Sequence, residues 1–121
     1  MNQSIFLVSE IPYLRNFRPL VMAHRGSSNL FPENSLLAFK EAYDLGVDAL
    51  EIDVRLSKDL IPVVFHDECL ERTTDGKGKL LDYTYRELQQ FDLGYFHKNP
   101  NSGKLLYRDK GLKILSLNEF F

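Results

Sequence analysis

The sequence predicts an α/β fold built on a parallel βαβ unit with an antiparallel hairpin after it. The first of three observations is a short, continuous apolar run, Leu20-Val21-Met22-Ala23, of the kind that forms a strand buried on both faces. The second is a capped amphipathic segment ending at Gly46 and followed by a strictly alternating run at 49–56. The third is another apolar run, at 61–66, which comes too soon for a parallel crossover needing about a dozen residues.

Composition bounds the rest. At 121 residues, 44% hydrophobic and 26% charged, the chain has the make-up of one soluble globular domain at most. No apolar run approaches the ~18–20 residues of a membrane span. The run Ile5-Phe6-Leu7-Val8 stops at Ser9 and Glu10, with no basic residue before it and no small-residue cleavage site after it, so no secretory signal is expected. Fifteen basic and seventeen acidic residues leave a net charge of −2 without a basic block, which argues against a nucleic-acid partner. The single cysteine, Cys69, has no partner for an internal disulfide and lies beside Glu68, which disfavours a thiolate. A cytoplasmic location is the expectation.

Taken in order, residues 1–19 form a lead-in segment without clear period, with Pro12 and Pro19 bracketing 13–18, and a domain occupies 20–121. The first strand ends in His24-Arg25-Gly26. Asn34 is the expected N-cap of a helix whose apolar stripe is Leu37, Ala38, Ala42 and Leu45, with Gly46 as its left-handed stop. In the strand at 49–56, Leu50, Ile52, Val54 and Leu56 share one face, and Glu51, Asp53 and Arg55 the other. A strand, a helix and a second strand make a βαβ unit, so the two strands should be parallel. A tight turn centred on Asp59 and Leu60 then places Asp53 opposite His66 in the hairpin. Two capping boxes, Thr84–Glu87 and Ser116–Glu119, open short helices. The second box closes two residues before the last residue, leaving its helix barely one turn, so the chain reads as cut short.

The chemistry concentrates at strand ends. Glu51 and Asp53 are two apart on a strand and project from one face. At about 5 Å and an effective dielectric near 20 their repulsion is about 3 kcal/mol, which water, protonation, a basic neighbour or a cation must offset. A solvated outer face, or pairing with Arg55, is the plain alternative. His24 and His66 each close an apolar strand, and the C-terminal strand ends of a parallel β/α architecture face a common crevice. The plain alternative for each is a structural hydrogen bond. Arg25 offers a planar fork suited to phosphate, and Gly26 lets the backbone turn tightly beside it. Glu33 precedes the helix N-terminus, where its charge favours the dipole, and it could also reach the crevice. His97 is expected to be exposed and without function.

Together these motifs resemble the glycerophosphodiester phosphodiesterase (GDPD) family. The matching stretches are Ala23-His24-Arg25-Gly26, Pro32-Glu33-Asn34-Ser35 with Ala38-Phe39, and Gly46 through Glu51-Ile52-Asp53-Val54. Two more follow, Pro62-Val63-Val64-Phe65-His66-Asp67 and Arg72-Thr73-Thr74-Asp75-Gly76-Lys77-Gly78. The resemblance implies the N-terminal part of a TIM-type (β/α)8 barrel, incomplete in this chain, since about 250 residues are typical of that fold. It implies metal-dependent hydrolysis of a small-molecule glycerophosphodiester to glycerol 3-phosphate and an alcohol. Carried over, His24 and His66 are the catalytic pair, Arg25 contacts phosphate, and Glu51 and Asp53 hold a divalent cation, Mg2+ or Ca2+. A third metal ligand is expected beyond Phe121. Glu33 matches the Pro-Glu-Asn motif with a less defined role.

The sequence departs from the family pattern at Leu60, where glycine is usual, at Leu115, where proline is usual, and at Ser35 and Ser57, where threonine is usual. The alternatives are a sphingomyelinase D-like or phosphatidylinositol phospholipase C-like enzyme on the same fold, or a non-catalytic fragment. Its partner would then be the remainder of the barrel or a second copy of the chain. The isolated chain is expected to have little or no activity.

Overall fold

A computed structural model describes residues 19–121. Of the lead-in segment only Pro19 falls within the described residues; the apolar run at 5–8 and the stretch 13–18 lie outside them.

The βαβ unit forms as its pattern requires. Strand β1 (Met22–His24) pairs parallel with β2 (Ala49–Glu51), in the register Met22↔Ala49, Ala23↔Leu50 and His24↔Glu51. Helix α1 (Leu36–Asp44) makes the crossover between them. Its N-cap is Ser35, not Asn34: the Ser35 hydroxyl accepts the Ala38 N–H at 3.1 Å. Both residue types cap well, but asparagine tolerates left-handed backbone better, and Asn34 has φ +57°. The chain therefore turns at Asn34 and caps one residue later. At the other end Gly46 adopts φ +74° and its N–H reaches the Tyr43 carbonyl at 2.9 Å, the expected stop. The buried face of α1 is Ala38, Phe39 and Ala42, while Leu45, expected in the stripe, is 67% exposed.

The alternating run at 49–56 is not one strand. It breaks at Ile52 and Asp53, and the chain changes partners there, from β1 to a later strand. Strand β3 (Val54–Leu56) pairs antiparallel with β4 (Pro62–Val64). The apolar face divides at the same point. Leu50 and Ile52 pack against the cluster of Phe39, Val64 and Leu115, whereas Val54 and Leu56 are half exposed.

The hairpin register differs by one residue from the expected one. Val54 faces Val64, so Asp53 lies opposite Phe65, whose N–H donates to the Asp53 carbonyl at 3.0 Å. The turn is longer than two residues because Leu60 takes a left-handed conformation, φ +62°, and the Ser57 N–H closes onto the Ile61 carbonyl. A one-residue shift reverses the face of every side chain it touches.

The other edge of β4 is covered by the C-terminal stretch. Val63 bridges to Ser116, and the Val64 N–H donates to the Leu115 carbonyl at 2.8 Å. Val63, Phe65, Leu70, Leu80, Leu88, Leu93 and Ile114 form the main core. Both capping boxes are present, opening α2 (Tyr85–Leu88) at Thr84 and α3 (Leu117–Phe120) at Ser116. The first strand is not buried on both faces as its composition suggests. Among the described residues β1 pairs only with β2, and Val21 and Met22 are more than half exposed. No helix among the described residues is long and apolar enough to cross a membrane.

Candidate active site

The ends of β1 and β2 and the turn after β1 hold the predicted residues close together. Parallel register puts His24 beside Glu51, and the His24 Nε2 lies 3.8 Å from Glu51 Oε2. The same carboxylate oxygen accepts the Arg25 backbone N–H at 3.2 Å. Arg25 takes φ +61° and Gly26 φ +80°, so two successive left-handed residues turn the chain sharply away from the strand. A side chain pays for that geometry, but a glycine does not. Gly26 is needed for a second reason. A Cβ there would lie 2.7 Å from the Ala38 carbonyl carbon, because α1 packs directly over the turn.

This turn aims the Arg25 guanidinium back at the acids. Its Nε lies 2.9 Å from Asp53 Oδ2, as an ion pair rather than a well-aligned hydrogen bond. Its Nη1 donates to Glu33 Oε1 at 3.2 Å. Asp53 Oδ2 also accepts from the Asn34 side-chain amide at 3.0 Å. Asn34 is thus not a cap but a buried donor to the acidic pair, with its Oδ1 buried and unpartnered. The repulsion expected between Glu51 and Asp53 is offset by Arg25, not Arg55. The Arg55 guanidinium instead donates to the His66 carbonyl.

His66 joins this group indirectly. Its Nδ1 lies 2.6 Å from Asp67 Oδ1. Arg72 grips Asp67 with two bonds, Nε to Oδ2 at 2.7 Å and Nη2 to Oδ1 at 2.8 Å. With its other edge Arg72 grips Glu33, Nη1 to Oε2 at 2.9 Å and Nη2 to Oε1 at 2.6 Å. Glu33 therefore sits between two arginines and completes the path from His66 to Arg25. Burial pushes the Glu33 carboxyl up, but the Arg72 hydrogen bonds and charge, with the Arg25 charge, outweigh it and hold the group below its usual range. The Arg72 bonds hold Asp67 far below the usual carboxylate range against a smaller effect of burial, and the His66 contact adds to them. Arg72 is correspondingly raised, first by Asp67 and then by Glu33.

Arg25 thus links Glu33, Glu51 and Asp53, His24 joins through Glu51, and His66 is tied to them through Asp67 and Arg72. Sequence reasoning assigned no site role to Asn34, Asp67 or Arg72. Arg72 lies 39 residues from Glu33, and no local period connects them. His97 differs from expectation too. It is half-buried against the Tyr107 ring, its Nε2 is enclosed without a partner, and desolvation lowers its pKa. It lines a cavity beside the network with Ser28, Glu33, Arg72 and Lys98.

The donor set suits a hard divalent cation in kind. Three carboxylates, Glu33, Asp53 and Asp67, share two guanidiniums, and Glu51, among the described residues, meets only the Arg25 main-chain N–H and His24, leaving negative charge in excess at a site rich in oxygen donors. In number it is incomplete. Among the described residues no three acidic, histidine or cysteine side chains gather as a ready-made metal site.

Comparison with known proteins gives one consistent answer. The sequence model of the glycerophosphoryl diester phosphodiesterase family matches residues 24–121. A glycerophosphodiester phosphodiesterase of Bacillus altitudinis is 47% identical over 102 residues, which cover 84% of this chain and 42% of the relative. One from Caldanaerobacter subterraneus is 49% identical over 77 residues, 64% of this chain and 32% of the relative. Among solved structures, a glycerophosphoryl diester phosphodiesterase domain from Mycobacterium tuberculosis superposes with a TM-score of 0.78 at 34% identity, covering 82% of this chain and 37% of that one. An Oleispira antarctica phosphodiesterase in complex with the product sn-glycerol-3-phosphate superposes with a TM-score of 0.73 at 43% identity, covering 85% of this chain and 38% of that one. The chain spans 32% to 42% of the length of these curated relatives, matching their N-terminal part.

Proposed function

This chain belongs to the glycerophosphoryl diester phosphodiesterase family, and from that premise we propose that it supplies the histidine pair, the phosphate-facing arginine and two metal carboxylates of a glycerophosphodiester-hydrolysing site. The observation that carries the proposal is the contact between the β1 and β2 ends, where His24, Arg25, Glu51 and Asp53 converge. The product bound in the Oleispira antarctica relative supports glycerol 3-phosphate as the product here.

The family is typically metal-dependent, and Glu51 and Asp53 would hold Mg2+ or Ca2+, with further oxygens from substrate, water or later strands of the barrel. Such an ion would polarise the phosphoryl oxygens of the substrate. His24 and His66 are the proton-transferring groups: one removes the proton of the attacking oxygen, and the other protonates the departing alcohol. Arg25 stabilises charge on the phosphoryl oxygens. Its guanidinium is already anchored by Asp53 and Glu33, so it needs little reorganisation to do so.

Activity requires the rest of the barrel. Met22 on β1 and Val21 just before it are open to solvent, and the matched solved structures extend well past the region this chain covers. The test measures glycerol 3-phosphate released from glycerophosphocholine with Mg2+ or Ca2+, and again with chelator. Alone, the chain should release little. Joined to the later strands of the Bacillus altitudinis relative, it should turn over in a chelator-sensitive way, and H24A or H66A should abolish the release. Full turnover in both histidine variants would overturn the assignment.

A further inference from the structure

We propose that Asp67 and Arg72 are positioning residues for His66: Asp67 keeps the imidazole proton on Nδ1, Arg72 fixes Asp67, and Nε2 is thereby left as the reactive nitrogen. This rests on the reading of His66 as a proton-transferring group.

The direction of the short contact between His66 and Asp67 follows from charge. Asp67 is held ionised by the two Arg72 bonds, and an ionised carboxylate only accepts. The proton shared at 2.6 Å therefore belongs to Nδ1, and in the neutral ring Nε2 carries the lone pair. The His66 side chain is 44% exposed, as a ring that meets a substrate requires. A carboxylate on the far nitrogen also stabilises the imidazolium formed when Nε2 takes a proton.

Arg72 makes the arrangement rigid. Each edge of its planar fork matches one carboxylate, and a lysine ammonium could not grip both at once. Because Glu33 also binds Arg25, the fork ties the loop after β4 to the turn after β1, and so fixes one histidine-bearing segment relative to the other. Arg55, donating to the His66 carbonyl, holds the main chain of the same residue from the hairpin side.

A loop staple with no effect on the ring would leave the tautomer to solvent, and that separates the two readings. Long-range 1H–15N correlation spectra of the uniformly 15N-labelled full chain, recorded at a pH where the ring is neutral, should show His66 chiefly as the Nδ1–H form. D67A should shift it to the Nε2–H form, and R72Q should shift it part of the way, with the core amide signals of β4 unchanged in each. A wild-type His66 already in the Nε2–H form would overturn the proposal, even if neither variant folds. An Nδ1–H form that persists in folded D67A would also overturn it. The spectrum needs no turnover. A reconstituted barrel that hydrolyses nothing while His66 stays Nδ1–H would count against the catalytic reading and retain the positioning.

Discussion

Replacing Gly26 by alanine tests whether the Arg25–Gly26 turn is shaped by helix packing as well as by backbone conformation. Gly26 has φ +80°, and left-handed backbone costs a residue with a Cβ about 1–2 kcal/mol. The new methyl would also sit 2.7–2.9 Å from the Ala38 carbonyl carbon, carbonyl oxygen and Cβ, so α1 must shift. Overpacking of this kind costs about 1–3 kcal/mol, and together the two effects predict a loss of about 2–5 kcal/mol. Gly46 supplies the control, since it has φ +74° but nothing within 4 Å of its would-be Cβ. G46A should therefore cost only the backbone share, about 1–2 kcal/mol. Urea unfolding followed by circular dichroism gives both numbers under the same conditions. Equal losses in G26A and G46A would refute the claim that α1 closes over the turn, and with it the account of why Arg25 points back at Asp53.

The left-handed Leu60 offers the reverse experiment. Its side chain is 70% exposed, so L60G should relieve backbone strain at little packing cost and stabilise the chain by about 0.5–1 kcal/mol. A loss of stability in the same urea titration would show that the turn is not strained. The Glu33–Arg72–Asp67 group predicts acid sensitivity with a defined sign. Both carboxyls are lower in the folded state than in the unfolded chain, so the folded state binds fewer protons. Their contribution is present above the unfolded values, near pH 4, and is lost as pH falls through the folded ones. Urea midpoints measured from pH 6 to pH 3 should fall more steeply for the wild type than for R72Q, and equal slopes would remove the network from the acid response.

Several features of the fold were legible because they depend on neighbouring residues alone. Gly46 ends α1 through its own φ, and the Thr84 and Ser116 boxes close within three residues. Parallel pairing of β1 with β2 followed from crossover length and brought His24 to Glu51. The errors share a different cause. Asn34 and Ser35 are both good caps, so local preference alone could not choose between them. Leucine by its own type does not signal the left-handed backbone that the glycine usual at position 60 would, and the hairpin register differs by one because Leu60 adopts it. The break at Ile52 and Asp53 arises because β1 and β4 compete for adjacent stretches of one strand, and their competition is invisible in the alternation itself.

The candidate site divides in the same way. His24, Arg25, Glu33, Glu51, Asp53 and His66 could be named from residue type, spacing and motif. That Arg72 joins Glu33 to Asp67, and that Asn34 donates to Asp53, required coordinates. Sequence alone determined where the chain turns, caps and alternates, because those preferences are set within a few residues. Tertiary structure decided which charges meet, because a guanidinium satisfies whichever carboxylates folding brings within about 3 Å, however distant they are along the chain.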